Sequence, residues 1–190
     1  MTEPPAAVPY DPRVAAALAG LTAAEVERVR WPRGIDLEVT NFYSERLPPL
    51  DLVTRVRAIL VKAGRILVFD GTDGWSHIVP GGGIEAGETI LEALRREVWE
   101  EVRCVMDGEP RLLGLSLFHN LGPRLPDLPA HYPYPDFLQL IYGATTSSEA
   151  AAGTDPAVRR PRFAEPAEVM AMHVPPTQLA FVEVALKAVT

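Results

Sequence analysis

The sequence predicts an α/β fold, helices layered on a sheet, and three observations predict it. Between Thr89 and Gly108 there is neither glycine nor proline, and Leu91, Leu94, Val98 and Val102 recur at helical spacing, the mark of one buried stripe. Strand-like runs stand on both sides of that segment, at 52–61, 66–69, 75–79, 112–118 and 137–144. The chain closes on a further helical pattern, so strands surround a loop–helix unit and a helix follows them. A chain of 190 residues is long enough for one such core with extensions.

The elements follow in order. Residues 1–10 are rich in proline and alanine and are expected to be disordered. Asp11-Pro12 has the form of an N-cap with proline at the first helical position, and that helix stops at Gly20. Thr22 to Glu25 reads as a capping box, predicting a second short helix that ends at Trp31-Pro32. Residues 1–50 are therefore read as a partly disordered N-terminal helical extension, and 51–190 as the main domain. In the main domain Leu52 to Val61 and Ile66 to Phe69 form a strand pair around Gly64, with Arg55 and Arg57 on one face by the period of two. Trp75 to Val79 is a short strand ended by Pro80-Gly81-Gly82-Gly83, a turn that lets the backbone approach a ligand. Thr89 caps the helix. Leu112 to Phe118 is a strand, the run FLQLIYGA (137–144) a central one, and Arg162-Phe163 the end of a last short one. Short helices begin at Glu165 or Pro166 and at Pro176, the latter with Leu179, Val182 and Leu186 inward.

The segment GGIEAGETILEALRREVWEEVRC, residues 82–104, carries the chemistry. Gly82, Glu88, Arg96, Glu97, Glu100 and Glu101 stand in the order G-x5-E-x7-R-E-apolar-x-E-E. Glu97 precedes Glu100 and Glu101 by three and four residues, so the three carboxylates are neighbours on a face adjoining the apolar stripe. Like charges that close repel, and a divalent cation turns the repulsion into attraction; Mg2+ favours oxygen ligands and joins carboxylates to phosphates. The pattern resembles the signature of the Nudix family, Mg-dependent hydrolases of diphosphate bonds. The resemblance implies a Nudix-type α/β/α sandwich with a mixed sheet, covering about residues 50–189 by order of elements. It also implies Mg2+, or Mn2+, held by Glu97, Glu100, Glu101 and the Gly81 carbonyl, with Glu88 paired to Arg96 so that the loop is held and Glu97 oriented. One position departs from the family: Arg103 replaces the glycine that serves a left-handed helix cap. The helix is therefore expected to run on towards the Asp107-Gly108 turn.

A net charge of -7 argues against a binder of nucleic-acid backbone. An acidic protein acting on anionic phosphates is reconciled by a metal. Of 18 basic residues only Lys62 and Lys187 are lysine; guanidinium groups suit bidentate phosphate contacts, but genome composition is the stronger account of the bias. Arg55 and Arg57 are substrate-binding candidates. Tyr132 and Tyr134 are others, beside His131 in a long loop with Pro123, Pro126, Pro129, Pro133 and Pro135, where rings could stack on a nucleobase. His77, His119 and His173 show no ligand spacing. The single cysteine, Cys104, permits no intrachain disulfide and reads as a buried thiol. No apolar run spans a membrane and no signal peptide is visible, so the expected compartment is the cytoplasm.

The expected activity is hydrolysis of the diphosphate bond in a nucleoside diphosphate derivative linked to another moiety, a small nucleotide-type substrate. The general base is open among the box glutamates, Glu149 and Asp155. Two other readings are a Nudix-fold ligand-binding or regulatory domain without turnover, and an isoprenyl diphosphate isomerase, which would need a cysteine in the pocket rather than inside the box. The resemblance also allows a homodimer, of which the chain gives no sign of its own.

Overall fold

A computed structural model describes residues 8–31, 34–127 and 132–189. In chain order the elements are α1 (Pro12–Leu18), β1 (Ala23–Trp31), β2 (Ile35–Tyr43), β3 (Val53–Lys62), β4 (Arg65–Asp70), β5 (Ser76–His77), β6 (Gly81–Gly83), α2 (Ile90–Val102), β7 (Asp107–Asn120), β8 (Asp136–Thr145), β9 (Arg159–Ala164), α3 (Pro166–Ala171), α4 (Pro176–Leu179) and α5 (Val182–Val189). The strands form a mixed sheet in the order β1-β2-β7-β8-β3-β4-β5, with β6 on β3 and β9 on β4. The pair β3–β8 is parallel and the other pairs are antiparallel. This is the expected α/β class. The FLQLIYGA run is central as read: β8 lies between β7 and β3, and it is buried from Asp136 to Ala144.

The two faces of β3 separate two cores. Val56, Ala58 and Leu60 pack with Leu94, Val98 and Val102 of α2. Ile59 and Val61 pack with Phe181, Val182 and Ala185 at the C-terminus. The outer edge of β3 is divided: Arg55 to Arg57 pair with β6, and only Val61 and Lys62 pair with β4. Side chains of α2 meet β3 at that division. Leu37, Val39, Phe118 and Phe137 make a third cluster, extended by Val29 and Trp31. Among the described residues no helix is long and apolar enough to cross a membrane.

The N-terminal region differs from the reading. The first helix is present as α1, capped by Asp11, but the second is strand β1. Its capping-box pattern loses to pairing with β2, which gives the main chain a ladder from Ala23 to Trp31 with one irregularity between Ala23 and Glu25; local helix signals worth about 1 kcal/mol yield to such tertiary contacts. Strand β2 had a readable period of two, with Leu37 and Val39 buried, and it joins the sheet through β7. Of the stretch expected to be disordered, residues 1–7 lie outside the described residues. Tyr10 is placed, its ring 4.1 Å from that of His119 and its hydroxyl donating to Glu38. The C-terminal helix is divided into α4 and α5.

Helix α2 begins as read, with a complete capping box between Thr89 and Glu92, but its end corrects the expectation. The helix stops at Val102, and Arg103 itself takes the left-handed conformation, at φ 56°. Three carbonyls at that end are satisfied from one loop: Thr154, Gly153 and Ala151 donate to Glu100, Glu101 and Val102 at 2.7, 3.1 and 3.0 Å. The Arg103 guanidinium lies 5.2 Å from the Trp99 ring centroid. Replacing Arg103 with glycine relieves about 1 kcal/mol of backbone strain and forfeits a cation–π contact worth about half of that. The expected result is a urea midpoint raised by about 0.5 kcal/mol of stability; a loss of stability would contradict the strain assignment.

Candidate active site

The glycine loop is built by close approach. A Cβ on Gly81, at φ 139°, would meet the Val56 carbonyl oxygen and would stand 2.7 Å from the Arg57 Cα. A Cβ on Gly82 would strike the Glu97 carboxylate. Gly83 meets nothing, so the third glycine answers no steric demand. β6 is thus pressed against β3 on one side and receives α2's carboxylates on the other.

Arg96 ties loop to helix. Its Nε and Nη2 donate to the two oxygens of Glu88 at 2.6 and 2.8 Å, and Nη2 also donates to the Gly83 carbonyl at 3.0 Å. Its Nη1 donates to Glu97 Oε1 at 2.8 Å and Glu100 Oε2 at 3.3 Å. The hydrogen bond from Arg96 holds the Glu88 carboxyl down at about 2. An acid depressed in this way stabilises the fold above the ordinary carboxylate range, and that contribution is lost as pH falls through about 2. Glu88→Gln should therefore be less stable than the wild type at pH 6, with the gap closing between pH 4.5 and 2 in acid-titrated thermal melts. A gap independent of pH would show that the pair contributes nothing.

Glu101 is the buried member of the three, 8% exposed, and its Oε2 accepts the Gly81 N–H at 2.9 Å. Burial pushes its carboxyl up to about 7, against the opposing pull of Arg57 and of that N–H. It faces a cavity of about 680 Å3, a size typical of small-molecule sites, which it lines together with Arg55, Arg57, Gln139, Trp31 and Asp155. Arg57 donates through Nε to Gln139 Oε1 at 3.0 Å and through Nη1 to the Val79 carbonyl at 2.8 Å. Burial lowers its pKa, yet a guanidinium stays charged at neutral pH.

The structure thus brings together Gly81, Glu88, Arg96, Glu97, Glu100 and Glu101, and beside them Arg55 and Arg57. Tyr132 and Tyr134 do not line the cavity. Tyr132 packs on Phe137, its carbonyl accepting from Arg124, and the Tyr134 hydroxyl donates to the Gly122 carbonyl at 2.7 Å. Pro129 and His131 lie outside the described residues. Of the two loop acids, Asp155 lines the cavity, whereas Glu149 is exposed and bonded to Lys62. Cys104 is buried and its thiol is pushed up to about 11 by burial.

Several cavity residues were not assigned to the site by the sequence, Gln139, Trp31 and His77 among them. Gln139 had a signal, as the one amide in an apolar run. Trp31 was read as a helix stop. His77 lines the cavity with its tautomer set by neighbours: Gln178 accepts the Ile78 N–H through Oε1, so its amide donates to His77 Nδ1, and His77 Nε2 faces Asp73.

The NUDIX domain family model matches residues 52–184. No curated protein matches the chain. Solved structures share the fold. The NUDIX domain of Shewanella oneidensis NrtR, complexed with ADP ribose, is 19% identical, covering 73% of this chain and 88% of that one at a TM-score of 0.55. A NUDIX hydrolase from Nitrosomonas europaea is 21% identical over 69% of this chain and 86% of its own, at 0.52. A NUDIX-family hydrolase from Clostridium perfringens is 18% identical over 70% and 95%, at 0.51. The family match spans more than half of the chain and contains the glycine loop and the α2 glutamates, and on that match the chain belongs to the NUDIX family.

Proposed function

We propose that the protein is a divalent-metal-dependent hydrolase that cleaves the diphosphate bond of a nucleoside diphosphate linked to a second moiety. The observation that carries this is the junction of α2's three glutamates with an arginine-lined cavity, through Glu101 and Arg57. The residues fit a cation such as Mg2+. The donors are hard carboxylate oxygens beside main-chain carbonyls, and the bare α-carbon of Gly82 leaves the space into which Glu97 projects. As they stand, no three such side chains among the described residues surround one point: Arg96 holds Glu97 and Glu100, and Gly81 holds Glu101. Glu97, Glu100, Glu101 and the Gly81 carbonyl would hold the ion, which when bound neutralises charge on the diphosphate oxygens.

The chain's own residues do the rest. Arg57 meets the diphosphate, since a guanidinium fork matches its oxygens, and Arg55 binds substrate beside it on the side of Trp31. Arg96 keeps Glu97 and Glu100 aimed while Glu88 anchors Arg96 to the loop. Water forms a bond to phosphorus as the bridging P–O bond breaks, its proton passing to a carboxylate lining the cavity, Glu101 or Asp155. Two phosphorylated products leave. Arg103, where the chain departs from the family's signature, leaves the end of α2 in place.

The test is release of monophosphate from about twenty diphosphate compounds, ADP-ribose among them, with Mg2+, with Mn2+ and with chelator. Turnover of at least one compound that stops on chelation is expected. A folded protein that binds one of them and turns over none would refute the hydrolase reading.

A further inference from the structure

The N-terminal hairpin lies outside the residues matched by the family, yet it walls the cavity. Glu27, Val29 and Trp31 of β1 are partly covered and line it, while Arg28 and Arg30 also border it but are largely exposed and pair with Glu38 and Asp36. Trp31 is supported from behind, its ring 5.6 Å from that of Phe118 and 5.8 Å from that of Phe137. The Arg55 guanidinium stands 6.0 Å from the Trp31 ring centroid, at the outer limit of cation–π contact. Among the described residues Arg55 has no ion-pair partner.

On the reading that the substrate is a nucleoside diphosphate derivative, we propose that Trp31 and Arg55 form its base subsite, the indole stacking on the flat heterocycle. A braced ring beside an uncommitted guanidinium plane offers stacking without hydrogen-bond readout, so the subsite takes any flat base. The cavity wall runs on along β1 past Trp31 to Glu27, whose carboxylate accepts the Thr177 hydroxyl at 3.0 Å. Tyr132 and Tyr134, the rings the sequence offered, are engaged elsewhere.

AMP and UMP differ from ribose 5-phosphate only in the base, so calorimetric titration of the three isolates the subsite without turnover. Wild type should bind both nucleotides about tenfold tighter than ribose 5-phosphate, the usual scale of a stacked base. Trp31→Ala should bring that ratio to within about threefold with ribose 5-phosphate affinity unchanged, and Trp31→Phe should retain most of it. Equal binding of all three by wild type, or a preference that survives Trp31→Ala, overturns the proposal. Should Trp31→Ala fail to fold, Trp31→Leu, which keeps apolar bulk and lacks a ring, must lose the preference that Trp31→Phe keeps. Brisk hydrolysis with equal binding would sink the subsite alone; nucleotide preference without hydrolysis would sink the activity alone.

Discussion

Glu101→Gln is expected to lower diphosphate hydrolysis by at least about a hundredfold while leaving the protein folded. The two halves of this expectation come from the same geometry. Glutamine retains an oxygen for the Gly81 N–H, so the bond at 2.9 Å that fastens β6 to α2 survives. What disappears is a formal charge facing the cavity, the feature that a cation and Arg57 both require. The wild-type carboxyl, raised to about 7 by burial, makes the folded state bind a proton that the unfolded chain releases near pH 4.5. Folded stability therefore falls as pH rises from about 4.5 to 7, and the neutral amide is free of that loss. At pH 8 the variant should melt no lower than wild type. Activity within about twofold of wild type, in a saturating Mg2+ assay, would remove Glu101 from the chemistry.

Gly81→Ala should be strongly destabilising for a single added methyl group. The new Cβ would meet main-chain atoms of β3, the Val56 carbonyl oxygen and the Arg57 Cα, which cannot rotate away as a side chain would. At φ 139° the backbone is strained for any L side chain as well. Relief requires β6 to lift from β3, losing ladder bonds and the Glu101 contact together. The cost is about 3 kcal/mol, which for a domain of this size is about 6–12 °C of melting temperature. Gly83→Ala is the control: nothing lies within 4 Å of its added Cβ, and its effect should stay within about 0.5 kcal/mol. Equal melting temperatures for the two variants would show that the loop is not held as described.

The sequence made the box legible because its spacing is local. Helical periodicity places Glu97, Glu100 and Glu101 on one face whatever surrounds them, and the Glu88–Arg96 pair follows from the family resemblance. Arg55 and Arg57 were legible for the same reason, as alternate residues of one strand. Trp31 and Gln139 were not, because their roles depend on which strands meet. β1 reaches the cavity only through β2 and β7, a chain of pairings that no local pattern encodes. The misread helix at 22–31 has the same origin, a valid capping signal overruled by a ladder formed later in the chain. Arg103 differs: on local grounds a left-handed cost of about 1 kcal/mol favours a longer helix, and the loop that supports the helix end lies some fifty residues away.

That loop, 151–154, has a consequence for how this chain can change over generations. It holds the last turn of α2 through main-chain N–H groups, and it leads directly into Asp155 at the cavity. Nearly any residue but proline supplies an N–H, so positions 151, 152 and 154 are open to drift, but Gly153 is not, because a Cβ there would strike the Glu100 carbonyl. Nor is the loop's length. One residue added or removed would shift Asp155 against the glutamates and leave carbonyls at the helix end unmet, so lineages carrying this fold should keep the count of this loop and its glycine and forget its other letters.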